Sequence, residues 1–455
     1  MSKAYIGCGA GFAGDRFDAA VPIVKALADV KGERFLIYEV LAERTLAIAQ
    51  RLRRENPDHG YSPFLDTYLP LVLADCHRHG IRIVTNMGAA NPLGAARRVH
   101  ALARELGIRG LKVAAVTGDD LLASMTQAQI RGEPIMEGIA LGDRTIVAAN
   151  AYLGAGPVAD ALATGAHVVL VGRTTDAALS LGPLMHVHAW QANDLDRLAQ
   201  GTVCGHLLEC GAQVSGAYFP DPGFKDVPDF DRVGFPIAEI EADGTLIITK
   251  PPGTGGLVSR ATVIEQLLYE VHDPHNYLTP DVVLDLGEVE VEEVGANRVC
   301  VRGARGNAPP ATLKATVCVD AGWLGEGEIS YAGANALARA QLAASVVRAR
   351  CRAIGIDDPV RVEVLGTEAI FDSDRASRRP RFAPSADGEY RVRAAVRSTK
   401  RKVAQQVSDE VLSLYCSGPA GGAGVRQHVS PQVSTASILI DRAHVHARVI
   451  MVEES

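Results

Sequence analysis

The sequence has few aromatic residues, no long apolar run and no excess of positive charge. Aromatic residues make up 5% of the 455 residues. The apolar runs are strand-length, far shorter than the roughly 20 residues that a helix needs to cross a membrane. Lysine and arginine total 46 against 53 aspartates and glutamates, a formal net charge of −7. We therefore expect neither sequence-independent binding to nucleic acid nor binding to a membrane.

The eight cysteines lack any close pairing along the chain. None of them forms a CxxC pair; the eight are Cys8, Cys76, Cys204, Cys210, Cys300, Cys318, Cys351 and Cys416. This scatter favours reduced thiols over a disulfide framework, and it offers no zinc-ligand spacing. The first residues also have no apolar segment of the signal-peptide kind. We expect a cytoplasmic protein without a bound metal.

Short apolar runs alternate with helical patterns over the first 185 or so residues. The predicted strands are residues 4–6, 35–38, 81–85, 112–117 and 167–171, and the predicted helices are residues 17–30, 41–54 and 94–106. The runs are apolar or β-branched throughout, which is typical of strands covered on both faces. The alternation predicts βαβ units and a parallel sheet.

The composition changes after Trp190, where proline, glycine and aspartate become frequent and the strand-like segments look more antiparallel. The predicted fold class is therefore α/β, with a parallel βαβ sheet in residues 1–190 and a second, α+β domain with glycine-rich loops in residues 191–455. Residues 372–389 are rich in Arg, Ser, Pro and Asp and predict an exposed loop. Apolar-rich α/β chains of this size are often homo-oligomers, and we expect one here.

Polar residues follow several of the predicted strands. Ligands of parallel sheets bind beyond the carboxyl ends of the strands, so these side chains are expected to share one rim. Helix capping is the alternative explanation for each Asp and Asn taken singly. Taken together they predict a polar small-molecule site with Glu39 and Asp176 in catalysis and with substrate bound by Asn86, Asn91, Asp119 and Arg173.

A second cluster contains His206 and Glu209, which are three residues apart and share one face of a helix. A histidine with a neighbouring carboxylate can act as a general base, with the carboxylate orienting the ring. The same pair could supply two metal ligands, or it could be a buried histidine satisfied by a local carboxylate. We predict a catalytic role for both residues and keep these alternatives open.

Three glycine-rich loops could bind an anion through backbone N–H groups. The first contains a G-x-G-x-x-G pattern from Gly9 through Gly11 to Gly14, and with Glu39 it resembles a dinucleotide fingerprint. A tight turn with close packing is the alternative, because Asp15 would repel a phosphate there. The other two loops predict substrate binding by Lys250, Gly253, Gly255, Gly256, Ser417, Gly421, Gly422 and Arg426, or else plain turns.

Several of these segments resemble the acyclic terpene utilisation family, AtuA. They are GAGFAGDR at 9–16, YEVLAERT at 38–45, TNMGAANP at 85–92, HLLECGAQ at 206–213, KPPGTGG at 250–256 and GEGEISY at 325–331. The resemblance runs in order through nearly the whole chain. It implies a place in catabolic pathways that handle acyl-CoA thioesters.

The resemblance implies an enzyme that acts on an acyl-CoA thioester or a related anionic carboxylic acid, as a hydratase or lyase. Coenzyme A would then be part of the substrate, and no obligatory cofactor is expected. Many relatives carry a small C-terminal ferredoxin-like domain, which suggests a separate small ferredoxin-fold subunit here. One alternative is a non-catalytic binding or scaffold subunit that works with such a partner, and a weaker one is an NAD-dependent oxidoreductase.

Overall fold

The computed structural model describes residues 3–367 and 385–454. The chain forms two compact units, the first made of Met1–Cys318 and Thr435–Ser455 and the second of Val319–Ser434. The boundary expected at residue 190 falls inside the first of these units. Most of the loop predicted at 372–389 lies outside the described residues.

The strands of the described chain are numbered in sequence order. They are β1 Ala4–Cys8, β2 Glu33–Tyr38, β3 Arg82–Thr85, β4 Val113–Thr117, β5 Ile135–Gly138, β6 Ile146–Ala151, β7 Val168–Val171, β8 Ile237–Ile240, β9 Leu246–Thr249, β10 Tyr277–Leu278, β11 Val283–Asp285, β12 Glu290–Gly295, β13 Arg298–Arg302, β14 Arg305–Asn307, β15 Thr312–Ala332, β16 Val360–Leu365, β17 Glu389–Ser398, β18 Ala423–Asp441 and β19 Arg448–Val452.

The α-helices are numbered in the same way. They are α1 Ala20–Ala28, α2 Glu43–Glu55, α3 Leu65–Tyr68, α4 Leu73–His79, α5 Pro92–Glu105, α6 Gln127–Gly132, α7 Gly156–Ala163, α8 Ala178–His188, α9 Leu195–Glu209, α10 Arg260–Leu268, α11 Ala336–Ala353, α12 Arg401–Leu412 and α13 Leu414–Ser417.

The first unit is built on one mixed sheet of ten strands, in the order β12-β13-β9-β8-β1-β2-β3-β7-β4-β19. Its five central strands, β1, β2, β3, β7 and β4, pair in parallel. Antiparallel strands extend the sheet on both sides, with β8 beside β1 and β19 beside β4. The predicted α/β class with a parallel sheet in the N-terminal part is confirmed.

Apolar side chains cover the central strands on both faces, as their composition predicts. In β7, Val169 and Val171 belong to one core, while Val168 and Leu170 point to the other face and belong to a second core. All four are almost fully buried. This arrangement leaves the strand ends as the places where polar side chains can gather.

Residues beyond 190 extend this same sheet. Strand β8 pairs antiparallel with β1, and β9 and β13 follow it outward. Helix α9 packs against the same core through Leu198, Val203 and Leu207. The antiparallel character that the composition indicated for this part of the chain is therefore found at the edge of the first sheet.

The second unit has the element order β-α-β-β-α-β, made of β15 from residue 319, α11, β16, β17, α12 and β18 to residue 434. Its strands lie in the order β16-β17-β15-β18. This order is that of a ferredoxin-like unit. A ferredoxin-like unit is thus part of this chain, and the separate ferredoxin-fold subunit that the family resemblance suggests stays a prediction.

The acidic GEGEISY segment lies in β15 of the second unit. Glu326 pairs with Arg393 and Glu328 with Arg391 on the neighbouring strand β17. The glycines serve packing, because a Cβ on Gly325 would lie 2.0 Å from the carbonyl oxygen of Ala404 in α12. These two carboxylates therefore belong to cross-strand ion pairs.

Candidate functional site

Glu39 and Asn86 meet where β2 and β3 end. Asn86 donates from Nδ2 to Oε1 of Glu39 at 2.8 Å, and its Oδ1 accepts from the backbone N–H of Val40 at 2.8 Å. The N–H of Leu41 donates to the same Oε1 at 3.0 Å. Both side chains are buried. The rim predicted from the strand ends therefore brings these two residues together.

The carboxyl group of Glu39 is strongly perturbed. Burial and the nearby carboxylate of Asp176 raise its pKa to about 8, although Arg173 and the hydrogen bonds from Leu41 and Asn86 oppose the shift. At neutral pH the group is therefore mostly protonated. A buried carboxylic acid with such a pKa can donate a proton in catalysis.

Arg173 follows β7 and is 2% exposed. Its guanidinium donates to the carbonyl oxygens of Thr174 and Leu41 and to Oδ1 of Asp176. Burial alone would lower its pKa, but the surrounding acidic groups, Asp176 first among them, raise it. Most of its donors are used within the protein. This geometry favours a role in holding Asp176 over direct binding of a substrate carboxylate.

Tyr152 and Glu43 complete the surroundings of Arg173. The guanidinium carbon of Arg173 lies 4.6 Å from the centre of the Tyr152 ring, a cation–π contact. The Tyr152 hydroxyl donates to Oε1 of Glu43 at 2.6 Å. Burial opposes ionisation of Glu43, yet this hydrogen bond and Arg173 lower its pKa. Neither residue was among the predicted site residues: Tyr152 follows β6, a strand that was not predicted, and Glu43 lies at the start of a predicted helix.

Asp119 follows β4 and fixes the backbone of Arg173. Its Oδ2 accepts from the N–H of Arg173 and from Nδ2 of Asn150, both at 2.8 Å. Gln50 donates in turn to Oδ1 of Asn150 at 3.3 Å. Burial raises the pKa of Asp119 to about 6. A Cβ on Gly172 would lie 2.6 Å from this carboxylate, so the approach requires glycine. Asp119 thus positions Arg173 through its main chain.

His206 and Glu209 lie at the end of α9, as predicted. His206 Nδ1 and Glu209 Oε1 are 2.9 Å apart. Burial would lower the pKa of His206, but Glu209 and the carbonyl groups of Gln266 and Leu267 raise it. Burial raises the pKa of Glu209, and His206 opposes that shift. The pair has the geometry of a base with an orienting partner.

Asp176 interacts electrostatically with both acid–base groups. Its carboxylate raises the pKa of both Glu39 and Glu209 by repulsion. The side chain is 38% exposed, so this part of the rim is open to solvent. The ring centre of Tyr277 is 5.8 Å from that of His206. Burial, Glu209 and Asp176 raise the pKa of Tyr277. The four residues predicted to be catalytic are therefore linked by electrostatic interactions.

Asn91, predicted to bind substrate, caps a helix. Its Oδ1 accepts from the N–H of Gly94 at 2.9 Å at the start of α5. Its Nδ2 donates to the carbonyl oxygens of Pro57 and His59 at 3.0 and 2.9 Å. Because both ends of the amide are engaged within the protein, the geometry favours the capping alternative.

The first glycine loop is closely packed. The N–H of Gly11 donates to Oδ2 of Asp15 at 2.9 Å, and that of Gly9 donates to the carbonyl of Ile37 at 2.8 Å. A Cβ on Gly11 would lie 2.3 Å from the backbone of Cys210. The following helix, α1, begins only at Ala20. These contacts favour a packed turn over phosphate binding for Gly9 and Gly11.

The loop at Lys250 closes on itself. Lys250 Nζ donates to the carbonyl oxygen of Thr254 at 2.6 Å, and burial lowers its pKa. The N–H groups of Gly255 and Gly256 donate to backbone carbonyls of the 228–232 segment, and Gly253 has a φ of +76°. The loop is therefore built as a turn, with its lysine used internally.

The loop predicted from Ser417 to Arg426 lies in the second unit. Ser417 ends α13, and Arg426 lies on β18. Gly421 has a φ of +76°, and a Cβ on Gly422 would lie 3.0 Å from the Tyr331 hydroxyl oxygen. The glycines are explained by a turn and by close packing, and anion binding at this loop stays a prediction.

Within residues 3–367 and 385–454, no group of three or more His, Cys, Asp or Glu side chains is arranged to hold a metal ion. No helix in the described part of the chain is both long and apolar enough to cross a membrane. The fold and the rim together define an α/β protein with polar side chains, most of them buried, at the carboxyl edge of its parallel strands.

The comparison with known families agrees with the motifs. The model of the "Acyclic terpene utilisation family protein AtuA" matches residues 4–451, nearly the whole chain. The chain belongs to this family. No curated protein and no solved structure gives a significant match.

Proposed function

We propose that the chain is a catabolic enzyme that acts on an acyl-CoA thioester or a related anionic carboxylic acid, as a hydratase or lyase. The observation that carries this proposal is that two acid–base groups, each with a side-chain hydrogen-bond partner, interact with one carboxylate. Glu39, hydrogen-bonded by Asn86, and Glu209, paired with His206, both interact with the carboxylate of Asp176. Reactions that add or remove water need one group to take a proton and another to give one.

In the dehydrating direction, Glu209 is the base and takes a proton from the carbon next to the substrate carbonyl. Glu39 is the acid and gives its proton to the leaving hydroxyl, which departs as water while the carbon–carbon double bond forms. His206 orients Glu209 through the 2.9 Å contact. The raised pKa of Glu39 keeps its proton available at neutral pH.

The remaining expectations form part of the same proposal. Coenzyme A enters as part of the substrate, the protein is cytoplasmic, and it assembles as a homo-oligomer. A separate small ferredoxin-fold subunit stays a predicted partner. The NAD alternative loses support, because the N–H groups of Gly9 and Gly11 are already paired.

The test is turnover of unsaturated and hydroxylated acyl-CoA thioesters by the wild type and by Glu39→Gln and Glu209→Gln. Each variant should lose at least a hundredfold in kcat, the usual contribution of a general acid or base. Glu55→Gln is the control, because Glu55 is exposed at the end of α2. Unchanged kcat in both site variants, or no turnover of any thioester by the wild type, would refute the proposal.

A further inference from the structure

A mostly apolar pocket lies beside helix α10 in the first unit. Its volume is about 200 Å³, and its walls include Gln213, Ala217, Tyr218, Phe219, Gln266 and Tyr269. The aromatic rings of Tyr218 and Tyr269 stand edge to face with centres 6.3 Å apart. Ligand sites are typically concave and lined by apolar and aromatic side chains. None of these residues was among the predicted site residues.

The backbone at the pocket is strained in two places. Tyr218 has a φ of +61° and is 80% exposed, and Glu270, next to Tyr269, has a φ of +59°. A bulky residue in this left-handed region is a genuine outlier. Such strain is retained where the surrounding structure holds a residue in place, and it concentrates at ligand clamps and active sites.

The pocket adjoins the proposed catalytic pair. Gln266 forms part of the pocket wall, and its Nε2 donates to the carbonyl oxygen of His206 at 3.2 Å. The amide of Gln266 also lies against the thiol of Cys210, the residue directly after Glu209. The pocket wall therefore contacts the backbone of His206, the residue paired with the proposed base, and the thiol of Cys210 beside that base.

The charged groups at the pocket are paired with each other. Glu265, which lines the pocket, forms an ion pair with Lys225. The ammonium of Lys225 lies 4.7 Å from the centre of the Phe219 ring. The charge of Glu265 therefore keeps its partner when an apolar ligand enters the pocket, and no unpaired charge from this ion pair is buried.

We propose that this pocket binds the apolar acyl chain of the substrate, an inference that rests on the proposed function of the neighbouring rim. At about 200 Å³ the pocket is smaller than the 300–1,000 Å³ of sites for drug-sized ligands. It holds roughly six groups of the size of a water molecule, each of about 30 Å³. The pocket therefore fits a short acyl chain and excludes the coenzyme.

The test is equilibrium binding of saturated straight-chain acyl-CoA thioesters and free carboxylates of two to twelve carbons. Saturated chains are used because binding is then measured without turnover. Affinity should rise by about fourfold for each methylene group that becomes buried. It should stop rising near six to eight carbons, when the pocket is full. Affinity that does not depend on chain length would overturn the proposal.

Two variants and one control locate the effect. Ala217→Leu should shift the plateau to shorter chains, because it fills the pocket. Tyr218→Gly should reduce the gain per methylene without loss of stability, because its ring is exposed and its φ suits glycine. Phe224→Ala removes another exposed ring, 87% accessible and outside the pocket, and should change nothing. If Phe224→Ala has the same effect as Tyr218→Gly, the proposal is wrong.

The outcome is separable from that of the catalytic proposal. Chain-length dependence that Ala217→Leu shortens, together with full turnover in Glu39→Gln, would support the pocket and refute the acid–base roles. Affinity that does not change with chain length, together with loss of turnover in Glu39→Gln, would refute the pocket and support the acid–base roles.

Discussion

Asn86 holds one oxygen of Glu39 and leaves the other free to react. The 2.8 Å hydrogen bond from Nδ2 of Asn86 and the 3.0 Å bond from the N–H of Leu41 both reach Oε1. Among the described residues, Oε2 of Glu39 accepts no hydrogen bond. A protonated carboxyl group oriented through one oxygen presents its second oxygen as the donor, which is the arrangement that a general acid requires.

The first prediction concerns the pH dependence of stability. The pKa of Glu39 is raised from 4.5 to about 8. Between these pH values the folded state keeps a proton that the unfolded state has released. The stabilisation from Glu39 is therefore fully present below pH 4.5, and it is lost as the pH rises toward 8. The slope from this group is at most about 1.4 kcal/mol per pH unit. Glu39→Gln should flatten it in urea unfolding measured from pH 5 to 9.

The window from pH 6 to 8 is the informative part of that experiment. Asp119 and Asp281 have pKa values raised only to about 6, so their contributions end earlier. Glu55→Gln should retain the wild-type slope in this window. Equal slopes in the wild type and in Glu39→Gln would show that Glu39 is ionised in the folded state at neutral pH.

Much of the rim could be predicted from the sequence because parallel strands align their carboxyl ends. Glu39 and Asn86 follow an apolar run directly, and Asp119 and Arg173 follow one after a single glycine. Their position alone brings them to one edge of the sheet. Position along the chain does not show which hydrogen-bond partner a side chain has. The sequence did not indicate that Arg173 turns inward to Leu41, Thr174 and Asp176.

No local sequence pattern identifies Tyr152 or Tyr277 as a residue near the site. Tyr152 follows a strand whose apolar pattern was not recognised, and Tyr277 lies on a two-residue strand. Asn91 illustrates the opposite case, because an Asn before Pro92 is as typical of a helix cap as of a binding site. Only the carbonyls of Pro57 and His59, more than 30 residues away along the chain, distinguish the two roles.

The second prediction is that Arg173→Lys destabilises the first unit. A lysine keeps the charge but cannot reach Leu41, Thr174 and Asp176 together, because it lacks the planar fork. Each hydrogen bond of the charged guanidinium that is lost in this way costs about 1.5–3 kcal/mol. The matched control is Arg78→Lys, since Arg78 pairs with Asp75 on the surface, where the cost should stay below about 1 kcal/mol. Urea unfolding measures both, and equal losses would contradict the buried network.

The third prediction separates packing from nucleotide binding in the first glycine loop. Gly11→Ala places a Cβ 2.3 Å from the backbone of Cys210 and should cost about 1–3 kcal/mol of stability. Gly132→Ala is the control, since a Cβ there meets nothing within 4 Å. The loss should appear without any nucleotide in the sample. A Gly11→Ala variant of wild-type stability that had lost affinity for NAD would instead favour the dinucleotide role.

The fourth prediction uses the strained backbone at Glu270, which follows α10 with a φ of +59°. A left-handed conformation costs a side-chain-bearing residue about 1–2 kcal/mol, whereas glycine loses about 0.5–1 kcal/mol of extra chain entropy on folding. Glu270→Gly should therefore stabilise the fold by about 0.5–1 kcal/mol. The same change at Glu265, inside α10, should destabilise it by about 1 kcal/mol, because glycine is a poor helix former.

The pH dependence of activity should also change in Glu270→Gly. Its charge helps to raise the pKa of Glu209 and Cys210, so its loss should shift the acidic limb of the rate profile of the enzyme toward lower pH. Thermal unfolding and a pH–rate profile on the same Glu270→Gly preparation measure both effects. A variant that is more stable and has an unchanged pH profile would mean that the strain serves the turn after α10 and not the site.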